Sequence, residues 1–305
     1  MLISEVEVLR FDGLTEGATL TLESRRAKDL RTGVAMAGLV GRRIGIEPDA
    51  CSSAIRRALT GVVYLDDATA ILASARSVLD ATGRARLLGN VAVIEQALYA
   101  ATTTAAPGVT ERAIAAAAHA TVCEAVGRAV RFAGNMGSGP RSLDPNGRPG
   151  ARRLKLGETF YLDLYPDLGL YSADLTRCFS LGAPSLDVRR VHCALEDALA
   201  AAVEAVRPGV TASAIDAAVR RVLAAHGLLA YFPHHSGHGL GLFLPEPPRL
   251  APDDETPLVA GMALAIEPGV YLPGVGGLRL EVNVGVTGDG CEIFGHMPPE
   301  LLVCH

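Results

Sequence analysis

The 305-residue chain lacks the features that mark disulfide-stabilised, cysteine–zinc or membrane-spanning proteins. Its six cysteines are scattered and none forms a Cys-x-x-Cys pair, so we expect reduced thiols and exclude a zinc cluster built on cysteine. No apolar run approaches the ~18 residues that a membrane span requires. Glu5 and Glu7 interrupt the apolar stretch that a signal peptide would need, and we therefore expect a cytoplasmic protein.

The overall charge limits the possible partners. The formal net charge is −5 at pH 7, and neither nucleic acid nor an anionic membrane surface attracts an acidic protein. The hydrophobic fraction of 49% is ample for a packed core. We therefore expect a globular protein that binds neither nucleic acid nor membrane.

The character of the chain changes near residue 86, and we predict two domains, 1–85 and 86–305. The first part alternates short β-like runs with Ala/Arg-rich helical runs and carries no recognisable chemistry. The second part has long Ala-rich helices followed by strands with glycine turns. A short α/β N-terminal domain therefore precedes a larger domain that holds the chemistry.

The larger domain contains an internal repeat. Pro-Gly-Val-Thr occurs twice, each time before a predicted helix that its threonine would cap. A hairpin with two carboxylates follows each helix at a similar distance, Asp163/Asp174 after the first helix and Glu267/Glu281 after the second. The shared order of elements argues against chance, and two halves related by a pseudo-twofold axis would bring the four acids together.

Several of these acids occur where the pattern indicates burial. Strand alternation places Asp163 and Glu281 on the face opposite their apolar neighbours, and Glu267 ends the apolar run MALAIE. Buried carboxylates must be protonated, paired with bases or neutralised by cations. Arg177 and Arg279 could pair with only two of the four acids.

Two divalent ions would balance all four acids. Oxygen ligands together with one imidazole, that of His238 in SGHGLG, favour Mn, Co, Fe or Zn over a metal that prefers thiolate. Two such ions about 3.5–4 Å apart would turn a bridging water into a hydroxide nucleophile and would polarise a substrate carbonyl. The sequence is therefore typical of a metalloenzyme.

From about residue 100 to its end, the chain resembles the pita-bread metallopeptidases. This family includes methionine aminopeptidase, prolidase and aminopeptidase P, together with the metal-free creatinases. Five residues carry the resemblance in the expected order and spacing: Asp163 and Asp174 of D-x10-D ending in SADLTR, His238 of GHGLG, Glu267 of IEPG and Glu281 of GLRLE. The resemblance implies an α+β pita-bread fold over 86–305, a curved antiparallel sheet covered by helices, and a homodimer.

The resemblance also implies a role for each of these residues. Asp163 and Asp174 would bind one ion, with Asp174 bridging to the second. Glu281 would be the other bridge, and His238 with Glu267 would complete the shell of the second ion. Glu267 would also take the proton from the attacking water. The creatinases are disfavoured because they lose these acids.

Two substrate-side histidines of the family are replaced in this chain. Asn146 stands where a histidine should precede the first aspartate, and Pro245 stands where a second should follow the GHG histidine by seven residues. Asn146 can donate a hydrogen bond but cannot shuttle a proton, and Pro245 can do neither. A third histidine of the family is kept as His234. We assign His234 and Asn146 to catalysis together with Glu267, and His234 also to substrate binding.

The remaining candidates have weaker support. Arg177 could pair with a carboxylate of the site or of the substrate, and a structural ion pair is an equal alternative. Tyr171 could line the substrate pocket, although packing is the default for an aromatic residue. His235 could support the metal site from just outside it or be merely a surface residue, and we favour the surface interpretation; we interpret His192 as a solvated residue.

Three functions remain open at this stage. The leading one is a dinuclear metal-dependent hydrolase, similar to Xaa-Pro peptidases, that acts on an amide or peptide-like bond of a small molecule or short peptide. An alternative keeps the metal site for a non-peptidase reaction in specialised small-molecule metabolism, because two substrate-side histidines are gone. A non-catalytic pita-bread binding protein is least favoured, since it has little reason to keep all five ligands.

Restoring the two histidines tests what their loss has done. The double variant Asn146→His, Pro245→His should raise kcat/KM for an Xaa-Pro dipeptide, by up to about 10²-fold, if the missing imidazoles limit the reaction. Steady-state hydrolysis with added manganese measures the effect, with Asn146→Gln, Pro245→Ala as the matched control. A double variant no faster than the unchanged chain would show that the replacements do not suppress peptidase activity.

Overall fold

The computed structural model describes residues 27–304. They form two compact units, the first ending at Ala75 and the second beginning at Arg76. Residues 1–26, and with them part of the predicted α/β N-terminal domain, lie outside the described part of the chain. The domain boundary at residue 85 stays a prediction. Among the described helices, none combines the length and apolarity that a bilayer crossing needs.

The first unit contains a parallel strand pair. A helix that packs its Val34 against Leu59 and Val63 precedes this pair. Strands β1 and β2 run parallel, with Arg43 opposite Tyr64, as a helical crossover between them requires. The elements are α1 (Ala27–Met36), β1 (Arg43–Ile46), α2 (Ser53–Leu59), β2 (Tyr64–Asp67) and α3 (Thr69–Ser77), which runs into the second unit.

The second unit repeats one order of elements, a helix pair followed by antiparallel strands. The first half contains α4 (Ala81–Thr104), α5 (Glu111–Val126), β3 (Gly134–Ser138), β4 (Thr159–Leu164) and β5 (Leu175–Leu181). The second half contains α6 (Leu186–Ala205), α7 (Ala212–Ala225), β6 (Gly237–Leu240), β7 (Glu246–Leu250), β8 (Ala263–Ile266), β9 (Gly269–Leu272), β10 (Gly276–Arg279), β11 (Val282–Val286), β12 (Cys291–Phe294) and β13 (Leu302–Cys304).

The strands of this unit form two sheets and a hairpin. One sheet has the order β13-β5-β4-β3, the other has the order β12-β11-β8-β6-β7, and β9 pairs with β10 alone. All of these pairs are antiparallel except the one between β13 and β5. The unit therefore has the mixed helix-and-sheet composition of the predicted α+β class.

The two Pro-Gly-Val-Thr segments adopt the same local structure. Gly108 and Gly209 have φ angles of +85° and +86°, which glycine adopts without a Cβ clash. The hydroxyl of Thr110 accepts the N–H of Ala113 at 3.2 Å, and the second threonine caps α7 in the same way. The sequence repeat is therefore a structural repeat, and each copy starts the second helix of its half.

Each half packs its helices on its own strands. Leu87, Ile94, Leu98, Ile114 and Leu162 belong to the core of the first half, and all are completely buried. The second core is built the same way around α6, α7, β8 and β11. The cores are not confined to one half each, since the first also contains Leu240 on β6 and Ala263 on β8. The boundary between the halves, which we call the seam, carries the four predicted acids on strands or at strand ends.

Truncation of one buried leucine and one exposed leucine tests the assignment of the first core. Leu98→Ala in α4 should lower the free energy of unfolding by about 2–5 kcal/mol, because it leaves a cavity at a fully buried position. Leu186→Ala in α6 is the matched control, since Leu186 is 85% exposed and should change stability by less than about 0.5 kcal/mol. Urea unfolding of both variants measures the difference, and equal losses would contradict the assignment of the core.

Candidate metal centre

The five predicted ligands come from strands and strand ends of both halves, and the structure brings them together. Oxygens of Asp163, Asp174 and Glu281 all lie within 4.8 Å of one another. Nε2 of His238 lies 3.7 Å from Oδ2 of Asp174 and 3.9 Å from Oε1 of Glu267. The cluster therefore contains four carboxylates and one imidazole, as the order of the motifs predicts.

Three carboxylate oxygens in the cluster have no partner. Oδ1 of Asp163, Oδ1 of Asp174 and Oε1 of Glu281 are buried without a hydrogen bond to any part of residues 27–304. The other oxygens of Asp163 and Glu281 are engaged, since Oδ2 of Asp163 accepts from Asn135 at 3.0 Å and Oε2 of Glu281 accepts from Thr176 at 2.8 Å. Unpaired carboxylate oxygens that converge in a buried site are the donor set that divalent cations require.

The electrostatics of the cluster show the same deficit of positive charge. Burial, followed by the neighbouring carboxylates, raises the pKa of both Asp174 and Glu281 well above the usual range. Burial also raises the pKa of Glu267, although Arg279 and His238 oppose this effect. Without added positive charge, the site therefore favours protonated acids over ionised ones.

Arg279 supplies part of the missing charge. Its guanidinium donates to Oδ2 of Asp163, and its Nε lies 3.9 Å from Oε2 of Glu267. Burial lowers the pKa of Arg279, but the surrounding acids, with Asp163 first, raise it above its ordinary value. One guanidinium facing four carboxylates leaves a negative site, so the arginine positions acids without replacing the cations.

Arg177 makes a different kind of contact. It is 1% exposed, and its guanidinium donates to the backbone carbonyls of Glu281 at 2.6 Å, Pro298 at 3.0 Å, Thr176 and Met297. These contacts favour a structural role, in which Arg177 holds the backbone at Glu281. The pairing of Arg177 with a side-chain carboxylate, considered from the sequence, is not among them. A role of Arg177 in substrate binding stays a prediction.

His234 lies beside the cluster in a fixed orientation. Its Nδ1 is 2.8 Å from the carbonyl of His235 and therefore carries the proton, so Nε2 accepts from the hydroxyl of Tyr271 at 3.1 Å. Burial lowers the pKa of His234 to about 4, so the ring is neutral at neutral pH. The Tyr271 hydroxyl also accepts from Arg279 at 3.2 Å, which connects the imidazole to the acids.

The structure places His235 beside the cluster, which was the less favoured of its two interpretations, and buries His192, which was expected to be solvated. Nδ1 of His235 lies 3.7 Å from Oε1 of Glu267, so this side chain borders the cluster. His192 is 3% exposed and its Nδ1 lies 3.4 Å from Glu196, so it is a buried residue of α6 and the prediction of a solvated one was wrong. Neither residue stands in a motif from which burial or proximity could be derived.

The other two substrate-side candidates lie on loops around the site. Asn146 is exposed, and its backbone N–H donates to Asp144 at 2.9 Å, while the carbonyl of the preceding Pro145 accepts from Arg279 at 3.1 Å. Tyr171 lies in the β4–β5 turn with a φ of +68°, and its ring packs over Gly83 of α4. The catalytic role of Asn146 and the binding role of Tyr171 stay predictions.

Sequence reasoning missed four polar neighbours of the acids: Asn135, Thr176, Tyr271 and Asn283. Asn135 faces Asp163 across the β3–β4 ladder, and Thr176 faces it across β4–β5. Strand alternation gives a signal for one of them, since Asn283 shares the face of Glu281 two residues earlier. The others depend on strand register, which the motifs do not specify.

Comparisons with known proteins show which family the chain belongs to. Residues 89–288 match Metallopeptidase family M24. The chain is 44% identical over 169 residues to a probable dipeptidase PepE of Mycobacterium tuberculosis. The aligned residues make up 55% of this chain and 45% of the relative. The chain thus spans about half the length of such curated relatives.

Solved structures resemble the chain over most of its length. Dipeptidase PepE from Mycobacterium ulcerans superposes with a TM-score of 0.80 at 36% identity, covering 90% of this chain and 74% of that one. The prolidase from Pyrococcus horikoshii OT3 superposes with a TM-score of 0.84 at 26% identity, covering 92% and 80%. The likeness confirms the α+β pita-bread fold predicted from the sequence.

The raised pKa of Glu281 predicts a pH dependence of stability in the chelated protein. The folded state keeps a proton on Glu281 that the unfolded chain releases near pH 4.3. The contribution of Glu281 to the free energy of unfolding is therefore complete below about pH 4 and is lost as pH rises through the folded pKa. Glu281→Gln removes the titrating group. The difference in unfolding free energy between the unchanged chain and this variant should therefore fall as pH rises from 5 to 8.

Urea unfolding with a chelator present measures this difference. Glu300→Gln changes the same functional group at an exposed position away from the cluster and is the matched control. A difference that stays constant across the pH range would contradict the raised pKa of Glu281.

Proposed function

Since the chain belongs to Metallopeptidase family M24 and is a metallopeptidase-like hydrolase, we propose that it is a dinuclear enzyme that hydrolyses short peptides. The bond cleaved is an amide or peptide-like bond in a small substrate, as in Xaa-Pro peptidases. Relatives named as a dipeptidase and a prolidase support this substrate class. The observation that carries the proposal is the convergence of three unpartnered carboxylate oxygens in one buried cluster.

The residues that would hold the two ions are the five that converge. Asp163 would serve only the first ion, and His238 and Glu267 would serve only the second. Asp174 and Glu281 would serve both ions. The donor set of oxygens and one imidazole suits Mn, Co, Fe or Zn. When bound, two such ions lower the pKa of water and polarise the carbonyl under attack.

The protein's own residues would carry the proton. Glu267 would accept the proton of the attacking water, because its carboxylate lies at the cluster with Oε1 3.9 Å from Nε2 of His238. The water oxygen bonds to the carbonyl carbon, the C–N bond breaks, and Glu267 returns the proton to the leaving nitrogen. His235, 3.7 Å from Glu267, lies close enough to orient this carboxylate.

His234 and Asn146 would act on the substrate. The neutral ring of His234 is fixed between the His235 carbonyl and the Tyr271 hydroxyl, so it presents one face and one tautomer to a bound molecule. Asn146 lies on an exposed loop whose Pro145 carbonyl is tied to Arg279, and its amide can donate to a substrate oxygen. A cytoplasmic location and a homodimer complete the proposal; the free state of all six cysteines supports the location.

A second candidate keeps the metal site and changes the reaction. Its support is the replacement of two imidazoles by Asn146 and Pro245, which removes proton-transfer groups from the substrate side while leaving all five metal-site residues. Such a site would suit a non-peptidase reaction on a small molecule. A non-catalytic binding protein would not need the four acids, whose burial is unfavourable in the absence of cations.

Metal analysis followed by a peptidase assay separates these functions. The purified protein should hold close to two ions per chain and, with manganese or cobalt, should cleave Xaa-Pro dipeptides or Met-peptides. Absence of turnover by the metal-loaded protein would favour the non-peptidase reaction. A protein that stays folded without binding metal would overturn both enzymatic proposals.

Glu267→Ala tests the proposed base. The variant should lose about 10²–10⁴-fold in kcat/KM and bind metal more weakly, because the carboxylate serves both as base and as ligand. Glu292→Ala, at a solvent-exposed ion pair with Arg84, is the matched control and should retain activity. Retained turnover in Glu267→Ala would show that another group activates the water.

A further inference from the structure

The backbone of Asp174 lies just beyond the end of a strand ladder. The β4–β5 pairing ends at Leu164 and Leu175, so Asp174 has no partner strand. The residue is only 8% exposed, and its N–H and C=O therefore need partners inside the protein. Asn283 provides both: its Oδ1 accepts from the Asp174 N–H at 3.4 Å, and its Nδ2 donates to the Asp174 carbonyl.

Asn283 belongs to the other half of the domain. It lies on β11, in the five-stranded sheet, and is completely buried. β11 is hydrogen-bonded to β8 and β12 through its own backbone, so the side chain is left to reach across the seam. The Asn283 amide thereby makes the two backbone hydrogen bonds that a neighbouring strand would make, and it joins the two sheets at Asp174, a candidate metal ligand.

A matching contact crosses the seam in the opposite direction. Thr176, two residues after Asp174, donates its hydroxyl to Oε2 of Glu281 at 2.8 Å. Asn283 likewise stands two residues after Glu281. Since residues two apart share a face of an extended chain, each half presents an acid and a polar group side by side. Thr176 then binds the carboxylate of Glu281, and Asn283 binds the main chain of Asp174.

We propose that Asn283 is a positioning residue of the metal centre, whose amide sets the distance between Asp174 and Glu281 and thereby the spacing of the two cations. This inference rests on the proposed metal centre. The two carboxylates repel each other when ionised, and Asp174 is placed at the end of the β4–β5 turn, outside the ladder. The bidentate amide is what fixes its main chain against that repulsion.

The amide group is specific for this task. Holding both an N–H and a C=O requires one acceptor and one donor in a single side chain, which asparagine has and aspartate lacks. Leucine has a similar volume but neither group, so Asn283→Leu leaves both backbone groups of Asp174 buried without a partner. Asn283→Ser is a smaller change that also breaks the bidentate contact and leaves room for water.

Glu95 offers a matched control in the same unit. It is 9% exposed, and its Oε1 accepts from the backbone N–H groups of His296 and Met297, both at 2.6 Å. Like Asn283, it is a buried polar side chain that binds two backbone groups of a distant segment. Glu95→Leu should therefore reduce stability without changing the spacing of the acids.

Cobalt binding to the full chain tests the inference. Isothermal titration with Co²⁺ gives the number of sites and their dissociation constants, the visible spectrum of the cobalt-loaded protein reports coordination geometry, and thermal unfolding of the metal-free protein reports stability. In Asn283→Leu and Asn283→Ser, we expect at least one Co²⁺ to bind about 10–100-fold more weakly, with an altered cobalt spectrum. Glu95→Leu should keep both sites and the unchanged spectrum at a lower unfolding temperature.

The possible results have separate meanings. If either Asn283 variant that folds binds two Co²⁺ ions with the original affinity and spectrum, the inference is wrong, whatever its activity. If the unchanged chain binds two Co²⁺ ions but cleaves no peptide, the proposed peptidase function fails while the inference is still decided by the variants. If the unchanged chain binds fewer than two ions, the inference fails with the dinuclear site.

Discussion

The mutual repulsion of buried carboxylates is the constraint on which the second unit depends. Oxygens of Asp163, Asp174 and Glu281 converge within 4.8 Å, and burial and neighbouring charge both oppose their ionisation. A flexible chain would relieve this repulsion by moving the acids apart. The acids therefore need rigid strands, a nearby guanidinium and side-chain hydrogen bonds to stay together until cations neutralise them.

The scaffold meets this need from both sides of the seam. Two apolar cores, one built mainly from the first half and one mainly from the second, hold the strands near the acids before any polar contact is counted. The segment near residues 296–298 is then fixed between the halves, because Glu95 accepts its N–H groups and Arg177 donates to its carbonyls. Arg177 itself donates to the carbonyl of Glu281 and so holds the main chain at this acid directly.

The sequence predicted the acids well because periodicity and motif spacing are local. Alternation placed Asp163 on the polar face of its strand, where Asn135 and Thr176 face it, and the repeated Pro-Gly-Val-Thr turns predicted the order of elements; both agree with the structure. Glu281 instead lies between β10 and β11, outside either strand. The partners of the acids were harder to derive. Alternation could not tell that Arg279 reaches Asp163 whereas Arg177 turns to backbone carbonyls, because both arginines neighbour acids in sequence. Contacts such as Asn283 to Asp174 span 109 residues and depend on how two sheets meet.

The two halves share an order of helices and strands, but they carry different candidate ligands. Their glycine turns differ by one degree in φ, yet the first half carries two aspartates and the second carries two glutamates and the only imidazole of the cluster. A glutamate is one methylene longer than an aspartate, so a symmetric backbone presents oxygens at unequal depth. The two cation positions of the proposed centre would therefore have unlike donor sets, since His238 would serve only one of them. A nearly symmetric backbone would thus hold two chemically different cation positions.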